Sequence, residues 1–267
     1  MKYVAFLDIL GFKSRLKELG QEESKRYISD FSGTVYSVFY GANKELIEGF
    51  IVSDSIVLNT TNTSNNSLRE LIRVIDEICK KEFSNNSILI RGAIAKGNFE
   101  SMPAVGLENL RKELIVGQAY VDAYIMESSV KTIGIILTKD VYEDMLDASI
   151  FTENIINENN NAYLYRTISL DFLLDLNNVS NFISLAKKAE WKEHYYNTIY
   201  FALQKESNDN KVDQLFENIL DCICNNHPSE NWRDVDIFIK NAFAEGVNTN
   251  FQKRFLRFIR SKIFRNT

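Results

Sequence analysis

Two aspartates sit where carboxylates are costly. Asp8 lies in Tyr3-Val4-Ala5-Phe6-Leu7-Asp8-Ile9-Leu10-Gly11-Phe12, and Asp54 in Phe50-Ile51-Val52-Ser53-Asp54-Ser55-Ile56-Val57-Leu58. Both runs carry the β-branched and aromatic residues of buried strands, and an ionised carboxylate there needs a cation beside it. A divalent metal is the simplest such cation. After Asp8, Gly11-Phe12-Lys13 leads into a helix-compatible run, so the amides of Leu10 to Lys13 are expected to be free to cradle an anion. Two carboxylates with such a cradle point to Mg²⁺ or Mn²⁺, two per site, on a nucleoside triphosphate. One metal would activate the attacking oxygen, and the other would hold the triphosphate and neutralise the leaving pyrophosphate. Taken singly, Asp8 reads as a helix cap and Asp54 as an Asx-turn in a hairpin, and that blander role is the default for each alone.

The elements that must position these residues follow from hydrophobic period. Strands are expected over Tyr3 to Leu10, Glu48 to Val52, Ser55 to Asn59, Ile88 to Lys96 and Thr132 to Leu137. Helices are expected over about Glu22 to Phe39, Ser67 to Phe83 and Gly117 to Ser128, with loops at Thr60 to Asn66 and between Lys96 and Gly117. This is a β-α-β-β-α-β core with an added αβ unit, an α+β fold of the ferredoxin-like group, which hosts many functions. In it the first strand and the following hairpin lie side by side, which brings Asp8 and Asp54 to one edge. One more strand is expected within Ala162 to Leu170. Beyond it, Phe172 to Ala189, Trp191 to Gln204, Val212 to Cys224, Val235 to Ala244 and Phe251 to Phe264 read as helices. The expected division is a catalytic domain over residues 1–170 and a helical extension over 171–267.

Composition bounds the rest. With 267 residues, 45% apolar and 12% aromatic, the chain can bury a full core. No run of about 18 apolar residues exists to span a membrane, and Met1-Lys2-Tyr3 enters the first strand without a signal-peptide pattern. A soluble, cytoplasmic protein is the expectation. A net charge of −5 gives no broad attraction to nucleic acid. Lys253, Arg254, Arg257, Arg260, Lys262 and Arg265 alternate with Phe251, Phe255, Phe258, Ile259 and Ile263 at helical spacing, which reads as an amphipathic helix with a solvated basic face. Cys79, Cys222 and Cys224 read as small buried hydrophobes, and His194 and His227 lack a neighbouring ligand.

Phe6-Leu7-Asp8-Ile9-Leu10-Gly11-Phe12 resembles the first metal motif of class III nucleotidyl cyclases, the adenylate and guanylate cyclase fold. Further signatures follow in the same order. Ile51-Val52-Ser53-Asp54 resembles the second metal motif, with Ser53 where glycine is usual. Arg91-Gly92-Ala93-Ile94-Ala95-Lys96-Gly97 resembles the strand and turn after the second helix, and Val116-Gly117-Gln118-Ala119-Tyr120-Val121-Asp122-Ala123-Tyr124-Ile125-Met126-Glu127 the segment that opens the next helix. The resemblance covers about residues 3 to 140.

It implies that Asp8 and Asp54 are metal ligands, with the Ile9 carbonyl a third. It also places Phe50 and Leu114 where adenylate cyclases usually carry a lysine and an aspartate that read the adenine ring. The helix asparagine and arginine that support the transition state fall at Val121 and Ile125. Arg91, Lys96, Arg111 and Lys112 are the nearby cationic candidates, with Arg91 assigned a catalytic role and Lys96 a substrate contact beside Leu10, Gly11 and Phe12. An aromatic ring at position 50 narrows the pocket and favours a pyrimidine. The whole pattern is similar to the bacterial pyrimidine cyclases of the Pycsar antiphage system, including Gly117, Ala119, Ala123, Tyr124 and Glu127. That similarity implies a homodimer with active sites shared across its interface, cyclic UMP or cyclic CMP made from UTP or CTP, and a separate effector protein that responds to it. The competing readings are a purine cyclase, a palm-fold oligonucleotide cyclase and a non-catalytic nucleotide sensor. Ser53-Asp54-Ser55 offers one carboxylate where the palm-fold diguanylate cyclases use two.

Overall fold

The structure, a computed structural model, describes residues 1–103, 113–158, 162–188, 192–204, 206, 208–224 and 249–265. These divide into two compact units, one of residues 1–130 and 134–167 and the other of residues 131–133 and 168–267.

The first unit is built on β1 (Lys2–Ile9), α1 (Phe12–Glu18), α2 (Gln21–Tyr40), β2 (Ile47–Val52), β3 (Ser55–Thr60), α3 (Asn65–Asn86) and β4 (Ile90–Gly97). There follow β5 (Glu100–Pro103), β6 (Glu113–Val116), α4 (Gln118–Glu127), β7 (Ile135–Leu137), α5 (Lys139–Asp147), β8 (Ile155–Glu158) and β9 (Ala162–Tyr165). Among the described residues the main sheet runs β2-β3-β1-β4-β7-β9-β8. Its first four strands stand in the order that a ferredoxin-like β-α-β-β-α-β unit generates. β1 is antiparallel to both β3 and β4, and the added β7 lies parallel to β4.

Strand period splits β1 into two faces. Tyr3, Ala5, Leu7 and Ile9 join Ile56, Leu58, Ile90 and Ile94 in a core closed by α2 and α3. The helices bring complementary stripes: Phe31, Val35 and Val38 on α2, and Leu68, Leu71, Ile72, Ile75, Ile78 and Cys79 on α3. Helix α3 starts where the Ser64 hydroxyl accepts from the Ser67 amide at 3.3 Å and stops at Ser87 in the left-handed conformation. The opposite face carries Lys2, Val4, Phe6 and Asp8, and α4 packs against it along β1 and β4.

Several elements depart from expectation. The loop between Lys96 and Gly117 holds the β5-β6 hairpin, with Met102 opposite Leu114. Helix α5 and strand β8 were not anticipated, because short elements carry too few periods to stand out. α5 is fixed by Tyr142 stacking on Tyr163 of β9 at 3.8 Å between ring centroids.

The second unit is helical: α6 (Leu170–Leu174), α7 (Leu176–Lys188), α8 (Lys192–Ala202), α9 (Asp209–Cys224) and α10 (Thr249–Arg265). The single helix expected over Phe172 to Ala189 is two. Asp175 turns extended between them, and its carboxylate accepts from the amides of Asn177 and Asn178, both at 3.0 Å, capping α7. The basic α10 buries Phe251, Phe255, Phe258 and Ile259, three of whose rings meet Phe216 of α9. Cys79 is buried as expected, whereas Cys222 is half exposed. The helix expected over 235–244, His227, Arg111 and Lys112 lie outside the described residues. None of the described helices is long and apolar enough to cross a membrane.

Candidate active site

Asp8 is the last charged residue of β1, one residue from its end, and the main sheet surrounds it. It faces Ser55 on β3 and Arg91 on β4 in the two antiparallel registers. The Ser55 hydroxyl donates to its carboxylate at 3.0 Å. Burial pushes the Asp8 carboxyl above its ordinary pKa; the Ser55 bond opposes this, the negative charge of Asp54 adds to it, and Arg91 and the Ile9 amide oppose it. Asp54 is thus an electrostatic neighbour of Asp8. The two are laced together by backbone, since the Ile9 amide donates to the Asp54 carbonyl at 3.3 Å.

Asp54 occupies the second position of a two-residue hairpin loop between Val52 and Ser55. Such loops need a positive φ, and Ser53 supplies it at 58° in the left-handed region. Glycine would take that conformation at lower cost.

The anion cradle is smaller than expected. Leu10 spends its amide on the Leu89 carbonyl at 2.9 Å, because the chain continues to follow β4's leading segment for one residue past β1. Gly11 has φ 78° and opens α1, so the amides that follow it have no preceding helical carbonyl to meet. Phe12 points its ring into the core, stacked on Tyr27 at 6.2 Å, and contributes no side chain to a ligand. The Tyr27 hydroxyl is pushed up to about 12 by burial, relieved in part by Arg15 and reinforced by Glu82 and Asp54.

Lys96 does not belong to this face. It pairs in register with Tyr3, and strand alternation therefore sends it to the side opposite Arg91. There its ammonium holds Asp144 of α5 at 2.6 Å, and the same carboxylate oxygen accepts the Tyr3 hydroxyl at 2.7 Å. The substrate contact expected of Lys96 is withdrawn on this geometry.

Phe50 does share the Asp8 face: it pairs with Val57, which pairs with Phe6, two residues before Asp8. Leu114 lies in the separate β5-β6 hairpin. Arg91 is mostly buried and its Nε meets the carboxylate of Glu127 in an ion pair. Glu127 was visible in the sequence only as the end of a motif. Its signal was the spacing of Ala119, Ala123 and Glu127 at i, i+4 and i+8, which is the buried line of α4. Ser55 was likewise seen only as a hairpin residue, and the register makes it the partner of Asp8.

Among the described residues no three or more His, Cys, Asp or Glu side chains converge on one point. The donor set for a metal is two carboxylates and backbone carbonyls. Those two fit a hard divalent cation, because each destabilises the other's charge and an oxygen-binding cation would remove that cost.

No protein-family model and no curated protein matches the sequence. Solved structures do. The adenylyl cyclase CyaB from P. aeruginosa is 15% identical, covering 61% of this chain and 91% of that one, with a TM-score of 0.45. The dimeric guanylyl cyclase domain of the RhoGC fusion protein from the aquatic fungus Blastocladiella emersonii is 14% identical over 61% and 92%, with a TM-score of 0.47. The guanylate cyclase domain of RhGC from Catenaria anguillulae, in complex with GTP, is 14% identical over 61% and 93%, at 0.44.

Helix α4 carries apolar side chains at the positions where the resemblance expects an asparagine and an arginine. Val121 and Ile125 are 44% and 62% exposed, and Tyr124 is 56% exposed. Tyr124 packs edge-on to Phe6 at 5.1 Å while keeping its outer side in solvent. Glycine is required at its start, since Gly117 has φ 148° and a Cβ there would lie 2.2 Å from the Asn98 carbonyl oxygen.

Proposed function

We propose that this protein is a metal-dependent nucleotidyl cyclase that converts a pyrimidine nucleoside triphosphate, UTP or CTP, to the 3′,5′-cyclic monophosphate and pyrophosphate. The observation that carries the proposal is Asp8 near the end of β1 beside Asp54 in the β2-β3 hairpin loop, joined through the Ile9 amide and faced by Arg91. The sequence resemblance across residues 3 to 140 supports the same reading.

In this reading Asp8, Asp54 and the Ile9 carbonyl would hold two Mn²⁺ or Mg²⁺ ions. The chemistry these ions supply is acidification of the ribose 3′-hydroxyl and neutralisation of charge on the departing pyrophosphate. The 3′-hydroxyl would give its proton to solvent water, and the 3′-oxygen would form its bond to the α-phosphorus in line as the bond to pyrophosphate breaks, closing the cyclic diester. The Ser55 hydroxyl favours the ionised form of Asp8 against its burial and fixes the carboxylate in direction. The backbone turn after Gly11 offers amides to the triphosphate. Phe50 presents an apolar, half-buried surface to the base, so a purine finds no side chain there that would bond its ring edge.

A second copy of the chain completes the site. Val121, Tyr124 and Ile125 of α4, with Val116 and Met102 of the hairpin, form an exposed apolar surface beside the Asp8 face. The product serves as an alarm signal in antiphage defence, read by a separate effector that binds cyclic nucleotides.

Incubation of the purified protein with each of the four nucleoside triphosphates and Mn²⁺, followed by mass spectrometry, tests the assignment. Cyclic UMP or cyclic CMP is expected, and a linear or dinucleotide product, a cyclic purine product, or none from folded protein overturns it. One observation favours a second reading, a nucleotide-binding sensor without turnover: Val121 and Ile125 leave the transition-state positions of α4 apolar. Tight nucleotide binding with no product would select it.

A further inference from the structure

The mechanism above gives no part to the carboxylate of Glu127, yet only 7% of that residue is exposed. An acidic side chain is seldom carried so far from water without a task or a partner. Its partner is Arg91, held through Nε. Arg91 in turn stands directly across the β1-β4 pair from Asp8. The cation Arg91 therefore stands between Glu127 on one side and Asp8, with Asp54 beside it, on the other.

The position of Glu127 is built, not incidental. α4 meets the sheet through Ala119 and Ala123, both fully buried, and the Ala119 Cβ lies 3.4 Å from where a Cβ of Gly97 would stand. These small contacts set the phase of the helix and bring its last residue, Glu127, over Arg91. A guanidinium next to two carboxylates and without a counter-charge of its own would bond them bidentately. It would then occupy the oxygens that a cation needs.

Resting on the metal-site reading above, we infer that Glu127 is a positioning residue that keeps Arg91 from closing on Asp8, and so sets how strongly the aspartate pair binds divalent cations. The Glu127 carboxylate withholds part of the guanidinium charge. The oxygens of Asp8 and Asp54 stay open to a metal, while Arg91 stays close enough to limit its affinity.

Electron paramagnetic resonance of free Mn²⁺, titrated with the full chain, reads the effect without any turnover. Glu127→Gln releases Arg91 toward Asp8, so the Mn²⁺ dissociation constant should rise about tenfold. Arg91→Gln removes the competing cation, and the constant should fall by a similar factor. The double variant leaves no orphaned buried charge and should return to within about threefold of the wild type. Opposite signs for the two single variants support the inference; a shared loss of affinity, or no change in either, overturns it. If Arg91→Gln does not fold, the pair Glu127→Gln and the double variant decides, because only charge competition predicts that the second substitution restores binding. Asp8→Asn separates the two readings. If it abolishes Mn²⁺ binding while the Glu127 variants change nothing, this inference alone fails; if it binds Mn²⁺ as the wild type does, the metal-site reading fails and takes the inference with it.

Discussion

Ser55 donates its hydroxyl to Asp8 across the β1-β3 pair at 3.0 Å, and this bond, with the charge of Arg91, favours the ionised carboxylate. A hydrogen bond of this kind contributes about 1 kcal/mol. Ser55→Ala should therefore weaken Mn²⁺ binding about fivefold while leaving the denaturation midpoint nearly unchanged. Calorimetric titration of the variant with Mn²⁺ checks it.

Asp54→Asn removes the like charge that raises the Asp8 carboxyl. The apo protein should be as stable as the wild type or slightly more so, because a repulsion is lost. Product formation should fall by about a thousandfold or more, the scale on which electrostatic catalysis by a single group is measured. A variant that retains activity would remove Asp54 from the site.

Polar groups introduced at the two positions proposed to face the base should change substrate choice. Phe50→Lys with Leu114→Asp introduces the pair that the purine enzymes are expected to carry, and the ratio of ATP to UTP turnover should rise by about tenfold or more. Competition assays with both nucleotides present give the ratio directly. An unchanged ratio would show that the base binds elsewhere.

Glu82 on α3 is fully buried, and burial raises its carboxyl to about 7, with bonds from Asn86 and Thr34 acting in the opposite direction. A carboxyl that titrates higher in the folded state than in the unfolded one stabilises the fold below the unfolded pKa, and that contribution is lost as pH rises through the folded value. The window is thus from the ordinary carboxylate range up to about 7. Urea midpoints should drop between pH 5 and pH 8, by up to about 3 kcal/mol in free energy. Glu82→Gln should abolish the slope and raise stability at pH 8; a slope that survives the substitution would place the titrating group elsewhere.

Much of the first unit was legible because its signals are local. The unbroken apolar run Tyr3 to Leu7 marked a buried strand, and the Val52 to Ser55 spacing marked a hairpin whose loop carries Asp54. The period of two also contained the fate of Lys96: it is five residues from Arg91, an odd separation that puts the two on opposite faces. What was hidden depended on partners distant in sequence. Leu10 looked free until the segment before β4 arrived beside it, and Ser55 looked like a turn residue until β1 paired with β3. Glu127 ended a motif with no visible target, since Arg91 lies on another element and only folding brings the two together. The α6-α7 break was written in Asp175, whose capping chemistry was overlooked inside a long apolar period.

The small-residue contact between α4 and the sheet has a consequence for how this chain can vary. Helix phase is counted in residues, and one added residue turns everything beyond it by about 100°. An insertion between Gly117 and Glu127 would carry Glu127 off Arg91 while leaving every residue type intact. Substitution and length change are therefore unequal here: the outward positions Val121 and Ile125 can be exchanged freely as far as the helix is concerned, but its length cannot.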